Sequence, residues 1–137
     1  MVLLLACTDP ELAPVADALE AWDEARAAQV AGDLGTALQK IREARALDPR
    51  SPALAGWEAE LLRVQGRPEA SLAVLDAALS VTPDHAELRQ QRAWLRMAAG
   101  DATGAAADLA PLVRAGLVDA EDLADEPHYA PLGKEPA

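Results

Sequence analysis

The chain has 137 residues and a formal net charge of -11; 51% of its residues are hydrophobic, 3% are aromatic and none is Phe. This length predicts one domain. A core made mainly of Leu and Ala favours helices over strands, because both residues are strong helix formers. The acidic balance argues against nucleic acid as a partner, since binding to phosphates requires an excess of Lys and Arg.

The N-terminal segment, residues 1–9, contains the single cysteine, Cys7, so no disulfide can form within one molecule. The run LLAC, followed by a polar stretch, resembles the lipobox of bacterial lipoprotein signal peptides. The resemblance implies a lipid on Cys7 and a place in the bacterial cell envelope. A basic start and most of the apolar stretch are missing, which a start codon assigned too late or a trimmed signal would explain. The alternative is an ordinary apolar N-terminus with a buried Cys7 in a cytoplasmic protein.

A repeat of 34 residues organises the rest of the chain. Gly at the end of a helix allows a left-handed turn, and Pro stops the second helix of a pair. Small Ala residues allow helices to approach closely, and Leu or Ile fills the space between them. Six columns share the interval: Gly32, Gly66 and Gly100; Pro49, Pro83 and Leu117; Ala44, Ala78 and Leu112; Ile41, Leu75 and Leu109; Ala37, Ser71 and Ala105; Ala25, Ala59 and Ala93.

These signals predict three pairs of antiparallel helices and a short seventh helix. The predicted helices cover residues 11–31, 34–47, 52–65, 68–80, 86–99, 102–115 and 119–124. Asp33, Arg67 and Asp101 occupy the tight turns inside the pairs. The predicted organisation is three repeats, followed by a capping helix with an acidic tail: 10–51, 52–85, 86–117 and 118–137.

The period and its punctuation resemble the tetratricopeptide repeat over about residues 18–117. The segments AGDLGTALQKIREARALDP and QGRPEASLAVLDAALSVTP match best, and the ending DLADEPHYAPL resembles segments that close such arrays. The resemblance implies an all-α fold: a right-handed helical-hairpin solenoid of three repeats with a short C-terminal capping helix. Terminal units of such arrays need a cover for their exposed end.

The third repeat departs from the family pattern. Arg89, Arg92 and Arg96 occupy positions that usually hold core side chains. Buried unpaired charge is costly, so these arginines must extend to water, find carboxylates or reflect a shifted register. One hypothesis is that the seventh helix docks on them through its acidic residues; the alternative is a solvated acidic tail. The acidic residues are Asp119, Glu121, Asp122, Asp125 and Glu126.

In the family, the first helices of the repeats line a concave groove, which implies a set of partner-binding positions here. Trp22 and Trp94 either line this groove or pack within the stack, whereas Trp57 is predicted to pack. The Lys and Asn pairs of a carboxylate clamp are absent. The implied groove residues are Trp22, Arg26, Gln29 and Val30; Glu60, Arg63 and Val64; and Gln90, Trp94 and Met97.

No catalytic motif, metal-ligand set or cofactor signature is present in the sequence. His85 and His128 are predicted to be exposed turn residues. We therefore predict a non-enzymatic scaffold or adaptor that binds a protein or peptide in a concave groove, without cofactor, metal or nucleic acid. Contact with a membrane would be through the lipid anchor alone. The alternative is a structural, self-associating subunit of an envelope assembly, for which a homo-oligomer is expected.

Overall fold

The computed structural model describes residues 13–125, with side chains between residues 17 and 122. Within this range every regular element is an α-helix, so the predicted all-α class is confirmed. The ends agree with the predicted ones to within one residue, apart from the predicted start at residue 11, which lies outside the described range. The helices are α1 (Ala13–Val30), α2 (Leu34–Leu47), α3 (Pro52–Val64), α4 (Pro68–Val81), α5 (Ala86–Ala98), α6 (Ala102–Arg114) and α7 (Ala120–Asp125).

The described residues fall into two compact units. The boundary lies between Val74 and Leu75, inside α4. The first unit therefore contains α1, α2, α3 and the first half of α4. The second unit contains the rest of α4 with α5, α6 and α7.

The repeated glycines end the first helix of each pair in the left-handed conformation. Gly32, Gly66 and Gly100 have φ angles of 80°, 75° and 84°. Each glycine N–H donates to the carbonyl three residues earlier, and the next N–H donates to the carbonyl five residues before it. This pair of bonds is a Schellman motif, which favours a residue without Cβ. Gly116, at φ 70°, ends α6 in the same way, one residue before the column that holds Pro49 and Pro83 in the first two repeats.

Two of the three tight turns also cap the helix that follows. Asp33 accepts a hydrogen bond from the N–H of Thr36 at 3.1 Å, and Asp101 accepts one from the N–H of Gly104 at 2.8 Å. A side-chain acceptor at this position satisfies an N–H that has no partner inside the helix. Arg67, in the equivalent place before α4, has no acceptor to offer. The second repeat therefore lacks a cap that the other two have.

Small side chains from the repeated columns form the centre of the first unit. Ala25, Ala37 and Ala44 are completely buried, which lets α1, α2 and α3 pack closely. Ser71 occupies an Ala column, and its hydroxyl donates to the carbonyl oxygen of Ala59 at 2.6 Å, which joins α4 to α3. The core cluster consists of Ala21, Ala25, Ala37, Leu38, Ile41, Ala44, Leu54, Leu61 and Leu62.

The second unit repeats this arrangement with α5 and α6. Ala93 and Ala105 are fully buried and lie with Leu109 and Leu112 in one cluster. Partly buried side chains of Ala86, Met97 and Val118 pack against it.

Candidate functional site

A pocket of about 290 Å³ lies between α1 and α3 of the first unit. Four of its five lining residues are the positions that the family resemblance implied for the groove of the first repeat. They come from one face of α1, because residues three or four apart in a helix are neighbours. The pocket is lined by Trp22, Arg26, Gln29, Val30 and Trp57.

Two tryptophan rings form one wall of this pocket. The ring centroids of Trp22 and Trp57 are 5.0 Å apart, with planes inclined by 56°, a tilted arrangement that aromatic pairs favour. Both rings are half-buried and also pack against the core of the first unit. Trp22 therefore contacts both core and pocket. Trp57, which was predicted only to pack, lines the pocket as well.

Hydrogen bonding fixes the orientation of the Gln29 amide. The indole Nε1 of Trp57 donates to Oε1 of Gln29 at 2.7 Å. An indole N–H can only donate, so the oxygen of the amide must face it and Nε2 remains as a donor. Arg26 is exposed. Among the described residues, neither the Arg26 guanidinium nor Gln29 Nε2 has an acceptor, which leaves two donors beside the indole rings.

The predicted groove positions of the second repeat lie on α3 of the same unit. Glu60 and Arg63 form a salt bridge of 2.5 Å. The hydrogen bonds that Arg63 donates to Glu60, together with the charge of that carboxylate, raise the pKa of Arg63 although partial burial opposes this. Val64 is 50% exposed and Val30, at the same place in the first repeat, is 91% exposed. Apolar side chains are thus presented at the ends of both helices.

The three groove positions predicted in the third repeat lie on α5, in the second unit. Gln90, Trp94 and Met97 are half-buried. Met97 packs against the core cluster of that unit, and Gln90 and Trp94 have further interactions within the protein. These residues belong to the second unit, whereas the pocket belongs to the first.

A second depression, of about 430 Å³, follows the outer face of α2. Its charged side chains already have partners: Arg42 pairs with Glu58 at 3.0 Å, and Glu43 pairs with Lys40 at 3.3 Å. Because its ionic groups are occupied, this depression offers less to a ligand than the pocket between α1 and α3. Gly35, Leu38, Gln39 and Ala46 complete its lining.

Two buried carboxylates each bind a pair of arginines, and neither was predicted from the sequence. Glu58, 4% exposed, accepts hydrogen bonds from Arg42 and Arg45 of α2. Asp108, 1% exposed, accepts hydrogen bonds from Arg92 and Arg96 of α5. A signal was present, because both acids occupy helix faces that carry core residues.

The hypothesis that the seventh helix supplies carboxylates to these arginines is wrong for the two that are paired. Arg92 binds Asp108 at 2.5 Å and Asp76 at 2.8 Å, and Arg96 binds Asp108 at 2.8 Å. Arg89 donates to the carbonyl oxygen of Pro83 at 2.6 Å. Arg92 and Arg96 do find carboxylates, but on α4 and α6 of the repeats rather than on the seventh helix. The side chains of Asp119, Glu121 and Asp122 are exposed, and those of Asp125 and Glu126 lie outside the described range.

The remaining candidate residues are distributed as follows. His85 is half-buried and caps α5, with Nδ1 accepting from the N–H of Leu88 at 3.4 Å, so it is more than an exposed turn residue. Cys7 and His128 lie outside the described residues. Over residues 13–125, no helix combines the length and apolar character of a membrane span, and no cluster of three metal-binding side chains occurs.

The fold just described is that of a helical-hairpin repeat protein, and comparisons with known proteins agree. Residues 31–95 match the family model of the tetratricopeptide repeat. A tetratricopeptide repeat protein from Parabacteroides merdae ATCC 43184 has a similar structure, with a TM-score of 0.69 and 24% sequence identity over 78% of this chain and 43% of that one. The chain thus spans less than half of that protein. A comparison with curated proteins gives no match.

The resemblance to the tetratricopeptide repeat that the sequence predicted is thus confirmed over residues 31–95, and the similar structure agrees with the fold. Tetratricopeptide repeats generally mediate protein–protein interaction, and proteins of this fold are typically scaffolds without enzymatic activity.

Proposed function

We propose that this chain is a non-catalytic scaffold or adaptor that binds a segment of a partner protein on the surface made by α1 and α3. The observation that carries the proposal is the pocket of Trp22 and Trp57 with exposed Val30 at its edge. Aromatic residues with apolar neighbours and a few polar groups are typical of the centre of protein interfaces. Gln90, Trp94 and Met97 on α5 are proposed as a second contact surface.

A matched pair of double variants tests this function. Val30 and Val64 are equivalent, exposed residues at the ends of the first helices, and Leu47 and Val81 are equivalent, exposed residues at the ends of the second helices. Val30→Gln with Val64→Gln removes apolar contacts from the proposed surface. Leu47→Gln with Val81→Gln makes the same chemical change elsewhere, so both variants should fold equally well.

The measurement begins with affinity purification from an extract of the source organism, compared between wild type and both variants by quantitative mass spectrometry. The binding of each recovered partner is then measured with purified proteins. We expect at least about a tenfold loss of affinity for the first variant and little for the second, because a few central contacts dominate interface energies. The proposal would be refuted if partners lost affinity only for the second variant. It would also be refuted if the chain bound no partner and only associated with itself in light scattering.

We also propose that Cys7 carries a lipid that tethers the protein to a bacterial envelope membrane. The support is the run LLAC at residues 4–7, which matches the small-residue pattern before a lipidated cysteine. Metabolic labelling of cells with an alkyne fatty acid, using the complete gene with its upstream sequence, tests this. Wild type should be labelled and Cys7→Ser should not; equal signals from the two would contradict the anchor.

A further inference from the structure

The pocket between α1 and α3 combines apolar walls with hydrogen-bond donors that have no acceptor among the described residues. Trp22, Trp57 and Val30 provide the apolar surface, whereas Arg26 and Gln29 provide polar atoms at two positions three residues apart on α1. Since Oε1 of Gln29 is occupied by the indole of Trp57, the amide presents its donor. A site that offers only donors is complementary to an acceptor, most strongly to an anion.

Resting on the proposed function, we infer that this pocket takes an apolar side chain of a partner peptide with a carboxylate next to it in sequence. The apolar side chain lies against the indole rings. The carboxylate accepts hydrogen bonds from the Arg26 guanidinium and from Nε2 of Gln29. A volume of about 290 Å³ is at the lower limit of small-molecule sites and suits one or two side chains rather than a larger ligand.

Two further observations bear on the chemistry of the peptide. The first is that α3 presents Val64, which is 50% exposed, in addition to Val30 of the pocket, which is 91% exposed. The net charge of -11 favours basic partners at long range. However, charges more than a Debye length of about 8 Å away are screened at physiological ionic strength. The charge of Arg26, which would contact the ligand directly, therefore determines which charge is preferred in the pocket.

Selection from a random heptapeptide phage library against the full chain tests the inference. Three baits are compared: wild type, Arg26→Glu and Arg50→Glu. Arg50 is the matched control, because it is exposed and, like Arg26, has no acceptor among the described side chains. We expect wild type and Arg50→Glu to enrich peptides in which Asp or Glu is adjacent to a large apolar residue. Arg26→Glu should instead enrich Lys or Arg at that position.

The best wild-type heptapeptide is then measured by fluorescence anisotropy, with a version in which its acidic residue is replaced by the corresponding amide. Arg26→Glu, or loss of the peptide's acid, should weaken binding at least about tenfold, since hydrogen bonds between charged groups are among the strong ones. Arg50→Glu should leave binding unchanged.

The outcomes separate this inference from the proposed function. Peptides that lose binding with Val30→Gln and Val64→Gln but show no acidic preference would overturn the inference and leave the proposed function standing. An acidic preference that persists in Arg26→Glu would also overturn it. If no enriched peptide depends on this surface, both the inference and the proposed function fail.

Discussion

The two units each bury one carboxylate between two arginines, but with the helices exchanged. In the first unit, the acid is Glu58 on α3, the first helix of the second repeat, and its arginines lie on α2 of the preceding repeat. In the second unit, the acid is Asp108 on α6, the second helix of the third repeat, and its arginines lie on α5 of the same repeat. One carboxylate therefore joins neighbouring repeats, whereas the other joins the two helices of a single repeat.

The same positions recur with opposite charges. Lys40 pairs with Glu24 at 2.8 Å within the first repeat, and two periods later Asp108 pairs with Arg92 at 2.5 Å within the third. The helix that carries the cation in one repeat carries the anion in the other. The repeat period thus determines the two positions that form an ion pair. Which of the two positions is the cation differs between the repeats.

Contacts between repeats show the same exchange. Arg42 on α2 pairs with Glu58 on α3 at 3.0 Å, and one period later Asp76 on α4 pairs with Arg92 on α5 at 2.8 Å. If the second repeat were followed by a copy of itself, Asp76 would face an acid at the position of Glu58. Like charges in contact disfavour such a neighbour. The signs therefore favour the natural order of the repeats over a permuted one.

The largest effect is expected from Asp108→Asn in the second unit. Arg92 and Arg96 are 17% and 25% exposed at their side chains, so water can replace little of what they lose. Removing one partner of a buried ion pair leaves charge without compensation. We expect the free energy of unfolding to fall by about 2–3 kcal/mol. Urea titration followed by circular dichroism measures it, and hydrogen exchange should show the loss in α5 and α6.

Glu58→Gln is the matched change in the first unit and should cost less, about 1–2 kcal/mol. The reason is that the side chain of Arg42 is 51% exposed and can return to water, whereas Arg45 is 23% exposed. Equal losses for the two variants, or a larger one for Glu58→Gln, would show that exposure of the arginines does not set the cost.

Helix capping extends the comparison to the turns. Asp33 in the first unit and Asp101 in the second cap the helices that follow, but Arg67 does not cap α4. Arg67→Asp should add the missing cap and raise the free energy of unfolding by about 1 kcal/mol. Arg67→Ala is the control, because it removes the arginine without supplying an acceptor. A urea midpoint no higher for Asp than for Ala would exclude capping as the cause.

The existing cap of Asp33 should depend on pH. Hydrogen bonds from Thr36, first from its side chain and then from its N–H, lower the pKa of Asp33. A depressed pKa in the folded state means that the stabilisation is present above the unfolded value of about 3.9 and is lost as pH falls through the folded pKa. The difference in urea midpoint between wild type and Asp33→Ala should therefore shrink from pH 5 towards pH 3.

Most of the fold could be predicted because its determinants are local and repeated. Gly32 and its equivalents needed a left-handed turn, and Ala25 and its equivalents needed close helix contacts, so a period of 34 residues located both. The four α1 residues of the pocket stand at the positions that the same register gave for the groove, and their role in binding stays a prediction. The contact of Trp57 with the pocket could not be predicted in this way. Trp57 belongs to the second repeat and meets Trp22 of the first, and the residue equivalent to Trp57 in the first repeat is Asp23, which gives no sign of an aromatic contact.

The ion pairs were harder to predict because charge sign does not follow the period. Arg92 looked misplaced when compared with Glu24 and Glu58 in its own column. It is satisfied by Asp108 and Asp76, whose columns contain no other acid. An ion pair joins residues of two different columns, so both columns must be compared together. A family pattern that describes each column separately cannot show such a pair. The division into two units also had no local signal, since it falls inside α4.

The smallest effect concerns the pair of Lys40 and Glu24 in the first repeat, whose side chains are 29% and 48% exposed. The hydrogen bonds that Lys40 donates, first to Glu24 and then to Glu43, raise the pKa of Lys40, so the lysine stays charged at neutral pH. Glu24→Arg alone should lower Tm by about 1–3 °C, because a cation then faces Lys40. Adding Lys40→Asp copies the polarity of Arg92 and Asp108 into the first repeat and should restore most of the loss.

A double-mutant cycle built from differential scanning calorimetry at low salt gives the coupling between these two positions. Exposed charges are screened by salt, so the coupling should shrink in 1 M NaCl, where the Debye length falls to about 3 Å. The buried pair of Arg92 and Asp108 should change much less in the same buffer, because partly buried charges are screened less. If Lys40→Asp fails to restore the Glu24→Arg variant at low salt, the two positions do not accept either polarity, and the charge exchange between repeats has another origin.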